Sequence, residues 1–95
     1  MKTGQWVLTR SINDRIADDT PFSKFVWNSM QRYVRHDWGD MDAEDKARND
    51  EAVQVGNRVL AAYNLPDGME GMNNRIYIIT EADRSVTTIL WPSEY

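Results

Sequence analysis

Acid–base and metal chemistry depend on carboxylates, histidines and cysteines in the right company, and this chain is rich only in the first. Seven acidic residues fall in DWGDMDAEDKARNDE: Asp37, Asp40, Asp42, Glu44, Asp45, Asp50 and Glu51, set against Lys46 and Arg48. That stretch carries a net charge of −5 while the whole chain carries −4, so the remainder is slightly basic. The acidity is local, and it falls where one helix should end and another begin.

Part of it has an ordinary explanation. Asp42 is a natural helix N-cap, and Glu44 and Asp45 then occupy a first turn, where the helix dipole favours negative charge. Capping leaves Asp37, Asp40, Asp50 and Glu51 unexplained. Read as a calcium loop, Asp37, Asp40, Asp42 and Glu44 fail. The glycine required at the sixth position is Met41, and Gly39 occupies a ligand position. His36-Asp37 is a metal-binding pair only in the company of further histidines, and there is one histidine and no cysteine in the chain. No metal or cofactor is expected. Glu81 and Asp83 could share acid–base work if burial separated their proton affinities, but a solvated hairpin loop is the simpler account. No phosphate-binding loop, nucleophile elbow, zinc-protease or dinucleotide fingerprint occurs. No catalytic residue is assigned, and the chain is expected not to be an enzyme.

The elements that position these groups are legible from pattern. Gln5 to Arg10 is rich in strand formers, and Ser11 to Asp19 reads as a turn or short helix. Thr20-Pro21 starts a helix with Thr20 as its cap. Phe22, Phe25, Val26, Ser29, Met30 and Tyr33 give that helix one face to about His36. Gly39 is the candidate left-handed residue that closes it. A second long helix is expected from Asp42 to about Tyr63, with a stripe of Ala52, Val53, Gly56, Val59, Leu60 and Tyr63, Gly56 implying close approach of another backbone. After a loop through Asn74, Arg75 to Thr80 and Val86 to Trp91 form strands joined by residues 81–85, and Pro92 stops the second. The expected fold is α+β: a three-stranded antiparallel sheet, of the N-terminal strand and the C-terminal hairpin, with two long helices and one short helix on one face. Phe25, Val53, Leu60, Ile78 and Leu90 are expected in its core.

The 95 residues fit a single domain, 1–95, with 41% hydrophobic residues. No apolar run reaches the roughly 20 residues of a membrane span. The N-terminus lacks a signal peptide's apolar centre. A soluble, cytoplasmic protein is expected. A pI near 4.8 argues against direct nucleic-acid binding, which needs basic surface, although Arg32, Arg35, Arg48 and Arg58 leave an arginine-based contact as one alternative. The balance favours a basic partner. Trp38, amid the acids, is open to two readings: a plug folded back into the core, or an exposed interface anchor.

Two stretches, DWGDMDAEDKARND (37–50) and IYIITEADRSVTTILWPSEY (76–95), with LTRSINDRIADD near the start, resemble a group of small proteins encoded on plasmids, prophages and other mobile elements. Some of these are described as restriction–modification subunits, yet this chain has no methyl-donor motif and no nuclease site. The resemblance brings no catalytic residues. It implies a habitat in which small acidic proteins resemble inhibitors of host defence, anti-CRISPR and anti-restriction proteins among them, several acting as DNA mimics. The expectation is therefore an inhibitor of a host nucleic-acid-targeting complex, with a CRISPR effector as the leading candidate. Its contact surface would be Asp37, Trp38, Asp40, Asp42, Glu44, Asp45, Asp50 and Glu51. The alternative is a non-enzymatic regulatory or interaction module of a mobile element.

Overall fold

Strand β1 spans Gln5–Leu8, and Thr9 leads straight into helix α1, Arg10–Asp18, in a computed structural model that describes all residues, 1–95. Ile12 of α1 is fully buried, and Ile16, one turn on, packs against the same core. Helix α2, Thr20–Val34, begins one residue earlier in its cap than the Thr-Pro pair suggests. Asp19 is the N-cap, its Oδ1 accepting the N–H of Phe22 at 3.0 Å, while Thr20 and Pro21 lie in the first turn. Phe22, Val26, Ser29 and Tyr33 form its buried face.

The residue that closes α2 is His36, not Gly39. His36 takes φ 62, and the N–H groups of His36 and Asp37 return to the carbonyls of Tyr33 and Arg32 at 3.0 and 2.9 Å. These are the paired bonds of a Schellman ending. Its ring stacks on Trp38 at 5.1 Å, which holds a non-glycine residue in the left-handed region.

Helix α3, Ala43–Val55, is capped as expected by Asp42, which accepts the N–H of Asp45 at 2.8 Å. It does not run on to Tyr63. Gly56, at φ 78, ends it, and the N–H groups of Gly56 and Asn57 both bind the carbonyl of Ala52. A Cβ on Gly56 would meet nothing within 4 Å, so the glycine serves a turn and not a close approach. The segment Val59–Asn64 is instead a strand, β2. The period misled here: Val59, Leu60 and Tyr63 continue a helical stripe, but Val59, Ala61 and Tyr63 also alternate at the spacing of two that a strand uses.

Strands β3, Arg75–Thr80, and β4, Val86–Leu90, form the expected hairpin. The sheet is four-stranded and mixed, in the order β1-β4-β3-β2. This corrects the three-stranded antiparallel expectation. β2 joins beside β3, antiparallel, with Ala61 opposite Ile78. β1 pairs with β4 in parallel, Trp6 opposite Thr87. A parallel pair needs a long crossover, and the whole stretch from α1 to β3 supplies it.

Helices α1 and α2 cover one face of this sheet. Val59, Ala61 and Tyr63, with Ile76, Ile78 and Ile89, point toward Ile12, Phe22, Val26 and Tyr33. Of the five expected core residues, Ile78 and Leu90 are buried, and Phe25, Val53 and Leu60 are half-buried. Helix α3 lies along β2: the Asn49 side chain bonds both the carbonyl and the N–H of Leu60, at 2.8 and 3.3 Å. No helix is long and apolar enough to cross a membrane.

Candidate functional site

The turn between α2 and α3, with the exposed side of α3, gathers the acidic stretch at one corner of the molecule. Its first carboxylate is fully engaged. Asp37 receives the Arg32 guanidinium at 2.8 and 3.2 Å and the N–H of Gly39 at 3.1 Å. The hydrogen bond from Arg32 holds the Asp37 carboxyl below the usual carboxylate range and, reciprocally, the bond to Asp37 raises the affinity of Arg32 for its proton.

Trp38 settles between its two readings by burial. It is 2% exposed, edge-on to Tyr33 at 5.4 Å, and its indole N–H donates to Asp50 Oδ1 at 2.8 Å. It plugs the core and presents almost no surface to a partner.

Asp40 fastens the turn to the sheet. Its N–H binds the carbonyl of Ala62 at 2.7 Å, and its Oδ2 accepts the N–H of Asn64 at 2.8 Å. Gly39, at φ 82, forms an isolated parallel bridge with Ala62, and a Cβ there would lie 2.1 Å from the Ala62 oxygen. Glycine is thus required for the turn to approach β2 this closely.

Hydrogen bonding therefore accounts for three of the four carboxylates that capping left over. Asp37 is paired, Asp40 covers the β2 edge, and Asp50 satisfies a buried indole. Farther along α3, Arg48 bridges Glu44 at 2.7 Å and Asp45 at 3.4 Å. Glu51 is exposed and makes no side-chain hydrogen bond or ion pair. The outer oxygens of Asp40, Asp42 and Asp50 are likewise left to solvent, since each carboxylate uses one oxygen inward.

Beside this corner is an open cleft of about 360 Å³, lined by Asp40, Asp42 and Asp45 on one side and Leu60, Arg75 and Tyr77 on the other. Arg75 and Tyr77 were not among the residues singled out from sequence. They belong to a strand whose inward face is Ile76 and Ile78, and nothing in the pattern says that its outward face meets the α2–α3 turn. Asn49 was missed as well, and its signal was faint: a polar residue one turn before Ala52, on the buried side of α3.

The loop 81–85 is held by its own side chains. Arg84, at φ 61, sends its guanidinium to the carbonyls of Ala52, Asn57 and Glu81 at 3.0, 2.7 and 3.1 Å, which caps the end of α3. Asp83 accepts the hydroxyl and the N–H of Ser85 at 2.6 and 3.0 Å, bonds that lower its proton affinity while it stays fully exposed. Glu81 is half-buried and Asp83 exposed. Of the four arginines, Arg32 and Arg48 are tied to acids, Arg58 lies over the ring of Tyr95, and Arg35 is exposed. No three His, Cys, Asp or Glu side chains converge as metal ligands would.

Compared with protein-family models, with curated proteins and with solved structures, the chain matches nothing.

Proposed function

We propose that this chain is a non-catalytic inhibitor that offers its acidic corner to a Lys- and Arg-lined nucleic-acid groove of a host defence complex, a CRISPR effector being the leading candidate. The observation that carries this reading is the seating of the carboxylates. Asp40, Asp42 and Asp50 each have one oxygen held by a backbone N–H or an indole and the other turned to solvent. Charges fixed in this way lose little freedom on binding. Their complementarity to a basic groove speeds encounter and makes it sensitive to salt.

A second reading has its own support. Arg32 and Arg48 neutralise part of the cluster, which suits a module that binds protein without imitating nucleic acid. The two are separated by reversing charge where no backbone bond is lost. Glu44 and Glu51 are exposed and cap nothing, so replacing both with Lys should leave the fold unchanged. DNA cleavage by a panel of CRISPR effectors and restriction enzymes is then measured with either protein present. Inhibition by the native chain that falls about tenfold or more in the variant, and that weakens with salt, supports mimicry. A variant that folds and inhibits equally well leaves only the second reading.

A further inference from the structure

The sheet has two edges, and the chain covers only one. Along β2, Asn49 takes both backbone groups of Leu60, and Asp40 engages Ala62 and Asn64. Such cover keeps an edge from pairing with another chain. β1 has none. Gln5 and Thr9 donate inward, to the carbonyls of Ser85 and Ile89, each at 3.1 Å. Alternate residues bond in a parallel ladder, so the backbone groups of Trp6 and Leu8 face outward, and no side chain reaches them.

Beneath this edge runs an apolar groove of about 300 Å³, between Trp6 and Leu8 of β1, Ile16 of α1, and Val26, Trp27 and Met30 of α2. It lies where a strand added to β1 would place its inward side chains. Trp27 forms the outer wall and is 59% exposed, against 2% and 3% for Trp38 and Trp91. Ser23, Trp27, Met30 and Val34 recur along α2 at the four-three-four spacing of a helix–helix seam, and Val34 is also exposed.

We propose that a second copy of this chain docks here, β1 pairing antiparallel with β1 and α2 lying beside α2 across a two-fold axis, so that two four-stranded sheets become one. A two-fold contact needs a surface complementary to itself. This one offers a bare strand to a bare strand and an apolar helical seam to its twin. Charge permits this contact between two molecules of net charge −4: of the chain's 15 carboxylates, none lies in β1 or α2, and the nearest on the lining elements are Asp14 and Asp18 of α1. Size sets the strength: a face about 22 Å long, from the fifteen residues of α2, and about 20 Å wide across helix and strand edge, covers about 440 Å² per partner, short of the roughly 600 Å² at the lower end of stable interfaces, so the dimer belongs with weak, reversible contacts.

The test is sedimentation of the full chain from about 1 to about 100 µM, the range of moderate affinities, with hydrogen exchange of the Trp6 and Leu8 amides. The expected result is a dimer whose tryptophan emission shifts to the blue as it forms. Its Trp6 and Leu8 amides should be protected. Trp27→Glu and Val34→Lys, both at exposed positions, should give folded monomers in which those amides exchange freely. Val55→Glu, at an equally exposed site on α3, should leave the dimer intact. A native chain that stays monomeric, as it would if the groove awaited a foreign strand, overturns the proposal. So does a dimer that survives Trp27→Glu, or one in which the Trp6 and Leu8 amides remain unprotected.

Discussion

The indole of Trp38 donates to Asp50 at 2.8 Å and so pins the turn after α2 to the middle of α3. The bond changes the meaning of the acidic run. Asp50 looks like surplus surface charge in a list of residues, yet it is what permits a tryptophan to be 2% exposed. Removing it leaves a buried N–H without an acceptor. Asp50→Ala should therefore lower stability by about 1–3 kcal/mol, read as a shift of the urea midpoint. Asp50→Asn keeps an acceptor and should lose less. Glu51→Ala, one residue on and unbonded, should stay within about 0.5 kcal/mol of the native chain.

Gly39 and Gly56 share a left-handed backbone, at φ 82 and φ 78, but not a setting. An added Cβ at Gly39 would strike the Ala62 oxygen at 2.1 Å and the Tyr63 ring at 2.6 Å, while at Gly56 it would meet nothing within 4 Å. Gly56→Ala should thus show backbone strain alone, about 1–2 kcal/mol. Gly39→Ala adds a clash with backbone that cannot move without releasing β2. It should cost clearly more and should loosen the Trp38 environment, visible as a red shift in emission. Equal losses at the two sites would mean that the turn does not depend on its contact with β2.

The roles that local pattern suggests for the two glycines are exchanged in the fold: Gly56 closes a helix and Gly39 makes the close backbone approach. Local signals were legible: Asp42 as a cap, the α2 stripe, the β3–β4 hairpin. Each is set by residues within a turn or two of one another. What was not legible is long-range. Val59 to Tyr63 satisfies helix and strand periods alike, and only pairing with β3 decides between them. The parallel pairing of β1 with β4 joins residues some 80 positions apart, and no pattern within β1 specifies it. The acidic site divided in the same way. Asp42, Glu44 and Asp45 were explained from helix chemistry, whereas the inward bonds of Asp40 and Asp50 depend on partners, Asn64 and Trp38, that only the fold brings near.

A chain of hydroxyls crosses the interior from α2 to the N-terminal segment. Thr87 donates to the carbonyl of Thr3, and a carbonyl can only accept. Each hydroxyl has one proton, so Thr80 donates to Thr87 and Tyr33 to Thr80, at 2.7 and 2.6 Å. Burial pushes the Tyr33 hydroxyl up from 10.0 to about 12, more than its bond to Thr80 and the charge of Arg84 lower it. A group raised on folding stabilises fully below its unfolded value and loses that contribution as pH rises through the folded one. Stability should therefore begin to fall above about pH 10 and drop through pH 12. Tyr33→Phe should remove this share of the alkaline dependence at a cost near 1 kcal/mol at neutral pH. Combined with Thr80→Val, the losses should be non-additive, because the two act in one relay. Additive losses in melts of the two variants and their double would break the relay into independent contacts.

Glu94 does at the acid end what Tyr33 does at the alkaline end. Its carboxylate accepts the Thr9 and Ser11 hydroxyls at 2.9 and 2.8 Å and the Trp91 N–H at 2.9 Å, joining the last turn of the chain to the start of α1. Burial alone would raise its proton affinity. The bonds from Trp91, Ser11 and Thr9 together outweigh that and hold it below the usual range. The group is depressed on folding, so its contribution is present above the ordinary glutamate value, about 4.3, and is lost as pH falls through the folded value. Asp37, lowered by Arg32, works in the same direction. Thermal melts from neutral pH downward should show stability falling below the ordinary carboxylate range. Glu94→Gln should lose stability at neutral pH, because an amide has one acceptor oxygen where three donors converge. It should also flatten the acid fall without abolishing it, since Asp37 remains. Amide exchange near Trp91 should quicken in the variant while that of β3 does not. If acid sensitivity is unchanged in Glu94→Gln but disappears in Asp37→Asn, the Arg32 pair alone governs the acid limb, and the tie between the chain's two ends contributes nothing to it.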